Sequence, residues 1–353
     1  MAERALPEGG GGAVGVSEYG PAYALLSLLF IVGCLIAYKT TASLAVIEKV
    51  QATGVLKSRF DITQADSASA LSGAFGATFS YFLAVWPALL FGILISGAVR
   101  AFVSPRWLAG LFGEGRVRPQ LVAGLAGAPL MLCSCCVAPV FTSVYERSSR
   151  LAPSLALMLA APALNPAALL LTFILFGGRV GVLRLLLSGA GVLVVGLLAE
   201  RLITVGPPAC AAEDGPQPSE RNAVVAFVNS CARVALQTLP LIVGGAVISM
   251  LVARWLLAGG AGSGAAGATA VMLVALIAVP VAMPTFFELP LALLITAVGL
   301  PPGAAVAVLI AGPATNLPSL FTVARSTGWK VPALVAAAVW ALAVLGGLLV
   351  SLV

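Results

Sequence analysis

Apolar residues run through this chain in long, nearly unbroken stretches, without the polar face that a water-facing helix shows once every turn. A helix needs about 20 consecutive apolar residues to cross the hydrocarbon of a bilayer. The pattern predicts helices over residues 21–38, 79–103, 118–140, 152–176, 180–203, 223–256, 268–290, 303–325 and 331–352. The stretch 223–256 starts amphipathic and turns fully apolar near Leu236. The first stretch starts near Pro21 with little positive charge before it. No small-residue cleavage site follows Tyr38-Lys39, so it reads as a retained helix and not as a signal peptide.

Polar interruptions set the organisation. Residues 1–20 are Gly-rich and are expected to be disordered. Segment 39–78 carries Lys39, Lys49, Lys57, Arg59, Asp61 and Asp66 and reads as a solvated connector, with part of it open to being helical. Segment 204–222 is polar and Pro-rich and reads as a linker between two halves, at 79–203 and 223–353. The expected fold is an all-α polytopic membrane protein of about nine transmembrane helices, with the helix at 21–38 added to two homologous half-bundles.

The halves repeat. At an offset of 151, Pro139 meets Pro290, Pro162 meets Pro313, Ala163 meets Ala314 and Asn165 meets Asn316. Upstream the offset is 153, pairing Pro87 with Pro240, Gly92 with Gly245 and Ser96 with Ser249. Apolar coincidences are cheap in such a sequence, but paired Pro-Ala-x-Asn elements are not. Duplicated halves with broken helices are a recurrent transporter plan. If every predicted segment crosses fully, the halves lie parallel. If the segments before Pro139 and Pro290 dip in and return, they are inverted.

Composition agrees with lipid as the solvent. The residues are 60% hydrophobic and only 9% charged, against the roughly one quarter charged of a soluble domain. The net charge of +6 is scattered over short loops, as at the flanks of membrane spans, and forms no nucleic-acid patch. The absence of His removes the commonest metal ligand. Nothing resembles a P-loop, no cofactor is implied, and nothing specifies an oligomeric state. The implied partners are the bilayer, at a plasma or inner membrane, and a small solute. A carrier, and not an enzyme, is expected.

Three motifs carry candidate chemistry. The first holds Cys133, Cys135 and Cys136, followed by Pro139. A buried free Cys is ordinarily just a small apolar residue; three within four positions suggest more. On a continuous helix Cys135 points away from the other two, so the thiols converge only if the helix unwinds, which Pro139 favours. Clustered thiols suit soft cargo such as Cu(I), Zn(II) or trivalent arsenic. The second motif is the pair of helix breakers, Pro162 with Asn165 and Pro166, and Pro313 with Asn316 and Pro318. The two Asn side chains either line a path across the pseudo-symmetry axis, or cap their own broken helices, or both. The third is Met283–Pro290, the counterpart of the Cys motif, in which Glu288 is an acidic residue within an apolar run. Intramembrane ionisable residues are functional candidates, so Glu288 is a candidate for proton coupling, or else a helix-end residue facing water.

Cys-Ser-Cys, a short apolar step to Pro139 and then Pro162-Ala163-Leu164-Asn165 resemble the ArsP-like family of predicted permeases. Pro284-Thr285-Phe286-Phe287-Glu288-Leu289-Pro290, followed by Gly312-Pro313-Ala314-Thr315-Asn316, is similar to that family's second half. The resemblance spans roughly residues 80–350. It implies a permease, with members that export trivalent organoarsenicals and relatives assigned to copper or zinc. It places Cys133 and Cys135 at the family's Cys positions, with Pro139, Pro162 and Asn165 completing the first motif. Glu288, Pro290, Pro313 and Asn316 form the second. Cys136 stands where family members often have Gly, which adds a thiol. The leading expectation is therefore efflux of a thiophilic metal or metalloid by alternating access, with Cys133, Cys135 and Cys136 holding cargo and Pro139, Asn165 and Asn316 lining the path. The alternatives are a permease for a small organic or sulfur-containing anion, and a membrane thiol oxidoreductase using Cys133 and Cys136.

Overall fold

A computed structural model describes residues 20–53, 70–112, 115–203, 220–258 and 267–351. All regular structure among them is helical. The chain runs through α1 (Gly20–Thr53), α2 (Ala70–Phe102), α3 (Pro105–Phe112), α4 (Val117–Gly127), a 3-10 turn (Ala128–Leu130), α5 (Ser134–Ser148), α6 (Leu151–Ala163) and α7 (Pro166–Leu202). It continues through α8 (Glu220–Ala258), α9 (Ala268–Ala278), α10 (Glu288–Ala297), α11 (Pro302–Ala314), α12 (Leu317–Thr327) and α13 (Lys330–Ser351). The expected disorder of residues 1–20, most of the 204–222 linker and Cys210 lie outside the described residues.

Several predicted boundaries move. The first helix does not stop at 38 but runs to Thr53, and α2 starts at Ala70, so both invade the expected 39–78 connector. Lys39 and Lys49 therefore sit on a helix. The predicted 118–140, 152–176, 268–290 and 303–325 stretches are each broken in two. Among the described residues, five helices are long and apolar enough to cross a bilayer, or six if α11 and α12, bent by 45°, make one span. The expectation of about nine spans is not confirmed by helix length and composition.

The breaks have local causes. Asn165 and Asn316 leave helical geometry and act as N-caps of α7 and α12. Pro166, Pro290 and Pro318 all lie in the first turn of a helix, where a missing amide hydrogen leaves no bond unmade. Pro162 and Pro313 sit at the second-last position of α6 and α11, so each helix ends just beyond its proline. Within α7, Gly177 adopts φ 82°, ψ 172°. The Arg184 guanidinium (Nη1) then donates to Thr172 Oγ1 at 2.6 Å. Twelve residues of straight helix would hold those residues about 18 Å apart, so α7 folds back on itself at Gly177. Gly328, at φ 79°, ψ 169°, separates α12 from α13 with the same geometry, 151 positions on. Element bounds repeat at that offset too: Val117–Gly127 with Ala268–Ala278, and Leu151–Ala163 with Pro302–Ala314.

Two short helices form the centre. Every residue of α6 is buried, and so is nearly all of α11; a helix that is apolar all round belongs inside a bundle. Glycines allow close packing around them. A Cβ on Gly196 would meet the Ala152 carbonyl at 2.9 Å, and one on Gly303 would meet the Gly347 carbonyl at 2.3 Å. The long helices surround this centre, with α2 packed on α8 and α13 on both α7 and α11. Their outer faces expose Phe30, Leu186, Leu236 and Leu345, a surface suited to lipid and not to water.

Candidate functional site

The thiol cluster forms because the helix is interrupted just before it. Met131 takes a left-handed conformation (φ 50°) and Cys133 is extended (φ −73°, ψ 161°) as the N-cap of α5. Cys135 and Cys136 follow in the first turn, and the Cys133 carbonyl accepts from the amides of Cys136 and Val137. An extended N-cap can direct its side chain toward the first turn, as a residue within a helix cannot. The sulfurs stand 3.2 Å (Cys133–Cys135), 2.6 Å (Cys133–Cys136) and 3.7 Å (Cys135–Cys136) apart. They meet as the sequence required, but the unwinding lies at Met131–Cys133. Pro139 sits inside α5, which continues through it to Ser148.

Two features of α2 complete this cluster. Tyr81, fully buried, brings its Oη within 2.9 Å of Cys135 Sγ. Cys136 Sγ lies 3.9 Å from the Val85 carbonyl. Gly92 lets α2 come this close, since a Cβ there would stand 2.2 Å from the Cys136 carbonyl oxygen. The three thiols are the only group of three or more His, Cys, Asp or Glu side chains among the described residues close enough to share one ion. They also sit at the positive end of the α5 dipole, which stabilises negative charge on sulfur.

A cleft joins this cluster to the other half. It is a narrow cleft with little free volume, lined by Leu132, Cys133, Pro162 and Asn165 on one side and by Met283, Pro284, Thr285, Glu288 and Pro313 on the other. Five of the residues singled out in the sequence thus meet in one place. Pro139, Pro166, Pro290 and Pro318 are not in its lining, and neither is Asn316. Asn316 caps α12 through its bond from the Ser319 amide (2.9 Å), with Ser319 Oγ accepting from the Asn316 amide in return. Its Nδ2 is buried with no hydrogen-bond partner among the described residues. Asn165 lines the cleft and also caps its own helix: its Oδ1 accepts from the amides of Ala167 (3.0 Å) and Ala168 (3.4 Å).

Glu288 is almost completely buried and pairs with Arg184 at 3.0 Å. The pair joins the folded-back arm of α7 to the first turn of α10, and so one half to the other. Neither Arg184 nor Tyr81 stood out in the sequence reading. Arg184 had the same signal as Glu288, a charge within an apolar stretch. Tyr81 had none, because only the packing of α2 on α5 brings it to a cysteine 54 positions away.

The model of a family described as predicted permeases, ArsP_1, matches residues 70–352. The chain is 26% identical over 271 residues to the UPF0718 protein YraQ of Escherichia coli, covering 75% of this chain and 77% of that protein. It is 28% identical over 115 residues to the UPF0718 protein MJ0584 of Methanocaldococcus jannaschii, covering 32% of each. With the UPF0718 protein YcgR of Bacillus subtilis it shares 33% identity over 93 residues, covering 26% of this chain and 32% of that one. No solved structure matches the chain.

Proposed function

The chain belongs to the ArsP_1 family of predicted permeases, and from that premise we propose that it exports a thiophilic metal or metalloid species across the plasma or inner membrane. The observation that carries this reading is the convergence of Cys133, Cys135 and Cys136, with Cys133 also lining the cleft between the halves. Three sulfurs in an apolar setting suit a soft ion or a trivalent arsenical and discriminate against Mg and Ca, which take oxygen ligands.

In this reading the two halves are copies of one scaffold that rock against each other around the cleft. The matched bounds of α4 with α9 and of α6 with α11, and the matched turns at Gly177 and Gly328, support the duplication. Cargo meets Cys133 at the cleft wall and passes to the trithiol group behind it, while Asn165 holds the broken helix open. Glu288 remains the candidate for coupling to protons. Its ion pair adds a condition, since a proton on Glu288 strands the buried Arg184 charge unless the two halves separate. Coupling of that kind links protonation to movement.

The test is a resistance assay in a metal-sensitive host carrying the Cys133→Ser/Cys135→Ser/Cys136→Ser variant. Loss of resistance to at least one of arsenicals, copper and zinc is expected, with membrane expression unchanged. Undiminished resistance to all three sinks the thiol-binding role. One observation favours a second reading, a thiol redox centre: the 2.6 Å separation of the Cys133 and Cys136 sulfurs. A reversible Cys133–Cys136 disulfide, counted by thiol titration after oxidant and reductant, distinguishes it.

A further inference from the structure

We propose that Arg184 is a positioning residue of the transport site: it holds the Glu288 carboxylate, negatively charged, on the cleft wall facing the Cys133 half, so that the cleft takes cationic thiophilic cargo in preference to neutral or anionic species. The inference rests on the permease reading above and narrows its substrate class.

The pair is built in from several directions. Asn165 caps α7 through the Ala168 amide, and the Ala168 carbonyl accepts from Thr172 Oγ1 at 2.7 Å. Thr172 Oγ1 accepts from Arg184 at 2.6 Å, and Arg184 donates to Glu288 at 3.0 Å. This chain of bonds starts at the broken helix of one half and ends on a carboxylate of the other. It exists only because α7 reverses at Gly177 and carries Arg184 back beside Thr172. Arg184 is fully buried and its Nε has no partner among the described residues, so the site keeps a cation there at a cost.

The scaffold does not require that charge. At the repeat offset of 151, Arg184 corresponds to Val335 and Glu288 to Val137, and both valines are buried. The same two places are thus filled by apolar residues in the other copy. Apolar replacements of a buried ion pair are generally as stable or more so. The pair carries no net charge, but it is oriented: Glu288 lines the cleft beside Cys133, Asn165 and Thr285, whereas Arg184 lies outside the lining, so the negative end of the pair faces the cleft. Glu288 also sits in the first turn of α10, whose dipole favours the carboxylate. A cation in the cleft then meets sulfur from one half and carboxylate from the other, whereas a neutral arsenical gains nothing from the carboxylate.

The experiment uses the full-length protein in detergent micelles and two probes, Zn(II) and neutral phenylarsine oxide, each measured by equilibrium binding. Arg184→Gln and Glu288→Gln are expected to weaken Zn(II) binding about tenfold or more, the size typical of losing a residue that orients a ligand, with the arsenical nearly unaffected. Arg184→Lys is expected to restore most of the Zn(II) affinity. The exchange Arg184→Glu/Glu288→Arg keeps the pair, and with it the fold, but turns the cleft positive and is expected to lose Zn(II) while retaining the arsenical. Arg184→Gln with an unchanged ratio of the two affinities overturns the proposal, whether both hold or both fall together. If Arg184→Gln does not fold, the exchange variant decides, and retained Zn(II) binding there overturns it. Cys133→Ser/Cys135→Ser/Cys136→Ser reports separately on the thiol reading: both probes still bound means that reading fails, whatever the Arg184 variants do.

Discussion

Replacing Gly92 by Ala tests the packing that creates the thiol cluster. The new Cβ would stand 2.2 Å from the Cys136 carbonyl oxygen and 3.3 Å from its carbon. A carbon approaches a carbonyl oxygen to about 3.3 Å at closest, so α2 and α5 must part by roughly 1 Å at this point. The obstacle is backbone in the first turn of α5, so no rotamer change relieves it. Overpacking of this kind costs about 1–3 kcal/mol. The same displacement draws Tyr81 and Val85, both on α2, away from Cys135 and Cys136. Two readouts are expected to move together: a lower unfolding temperature in detergent, and faster alkylation of the three thiols, all of which are buried. Gly244→Ala is the control, since a Cβ there meets nothing within 4 Å. As a helical Gly→Ala change it should be neutral or stabilising by up to about 1 kcal/mol. Equal stability and equal thiol reactivity in Gly92→Ala and the native chain would refute the claim that α2 is pressed against α5 here.

Further outcomes follow from the same geometry. Gly177→Ala is expected to destabilise by about 1–3 kcal/mol, because its backbone region is essentially reserved for glycine, and Gly328→Ala by a similar amount; thermal unfolding measures both, with Gly178→Ala as a neutral reference. Asn165→Ala removes the cap of α7 and is expected to lower stability by about 0.5–2 kcal/mol; an unchanged unfolding midpoint would show the cap to be dispensable. Arg184→Met alone leaves Glu288 buried and unpaired and is expected to cost about 3–5 kcal/mol, whereas Arg184→Met/Glu288→Met should recover most of it. A double-mutant cycle measures this, and additive losses would argue against a direct pair.

Much of the site was legible because its chemistry is carried by rare residues. In a chain with 9% charged residues and no His, three cysteines in four positions and a lone Glu in an apolar run stand out without any structure. The Pro/Asn pairs were equally plain, because only backbone interruption explains them at membrane depth. The exact site of unwinding was not legible. Pro139 is a helix breaker by its chemistry, yet α5 carries it and breaks at Met131–Cys133 instead. A contact from α2 falls at this turn, where Ser96 Oγ donates to the Pro139 carbonyl at 2.8 Å. How far helix extends into the 39–78 connector was not legible either. Lys39 and Lys49 are compatible with a helix, and polarity alone does not mark a helix end.

The sequence by itself determined the solvent, the helical class, the pairing of motifs at an offset of 151 and the residue types present in the candidate site. These follow from composition and periodicity, which act locally along the chain. Only the tertiary structure decided which of those residues meet. It took the reversal at Gly177 to bring Arg184 to Thr172, and the packing of the α7 arm on α10 to bring Arg184 to Glu288, 104 positions away. It took the Gly92 contact to bring Tyr81 to the thiols. Partners so distant are chosen by the packing of helices against one another, which hydrophobic patterning does not encode.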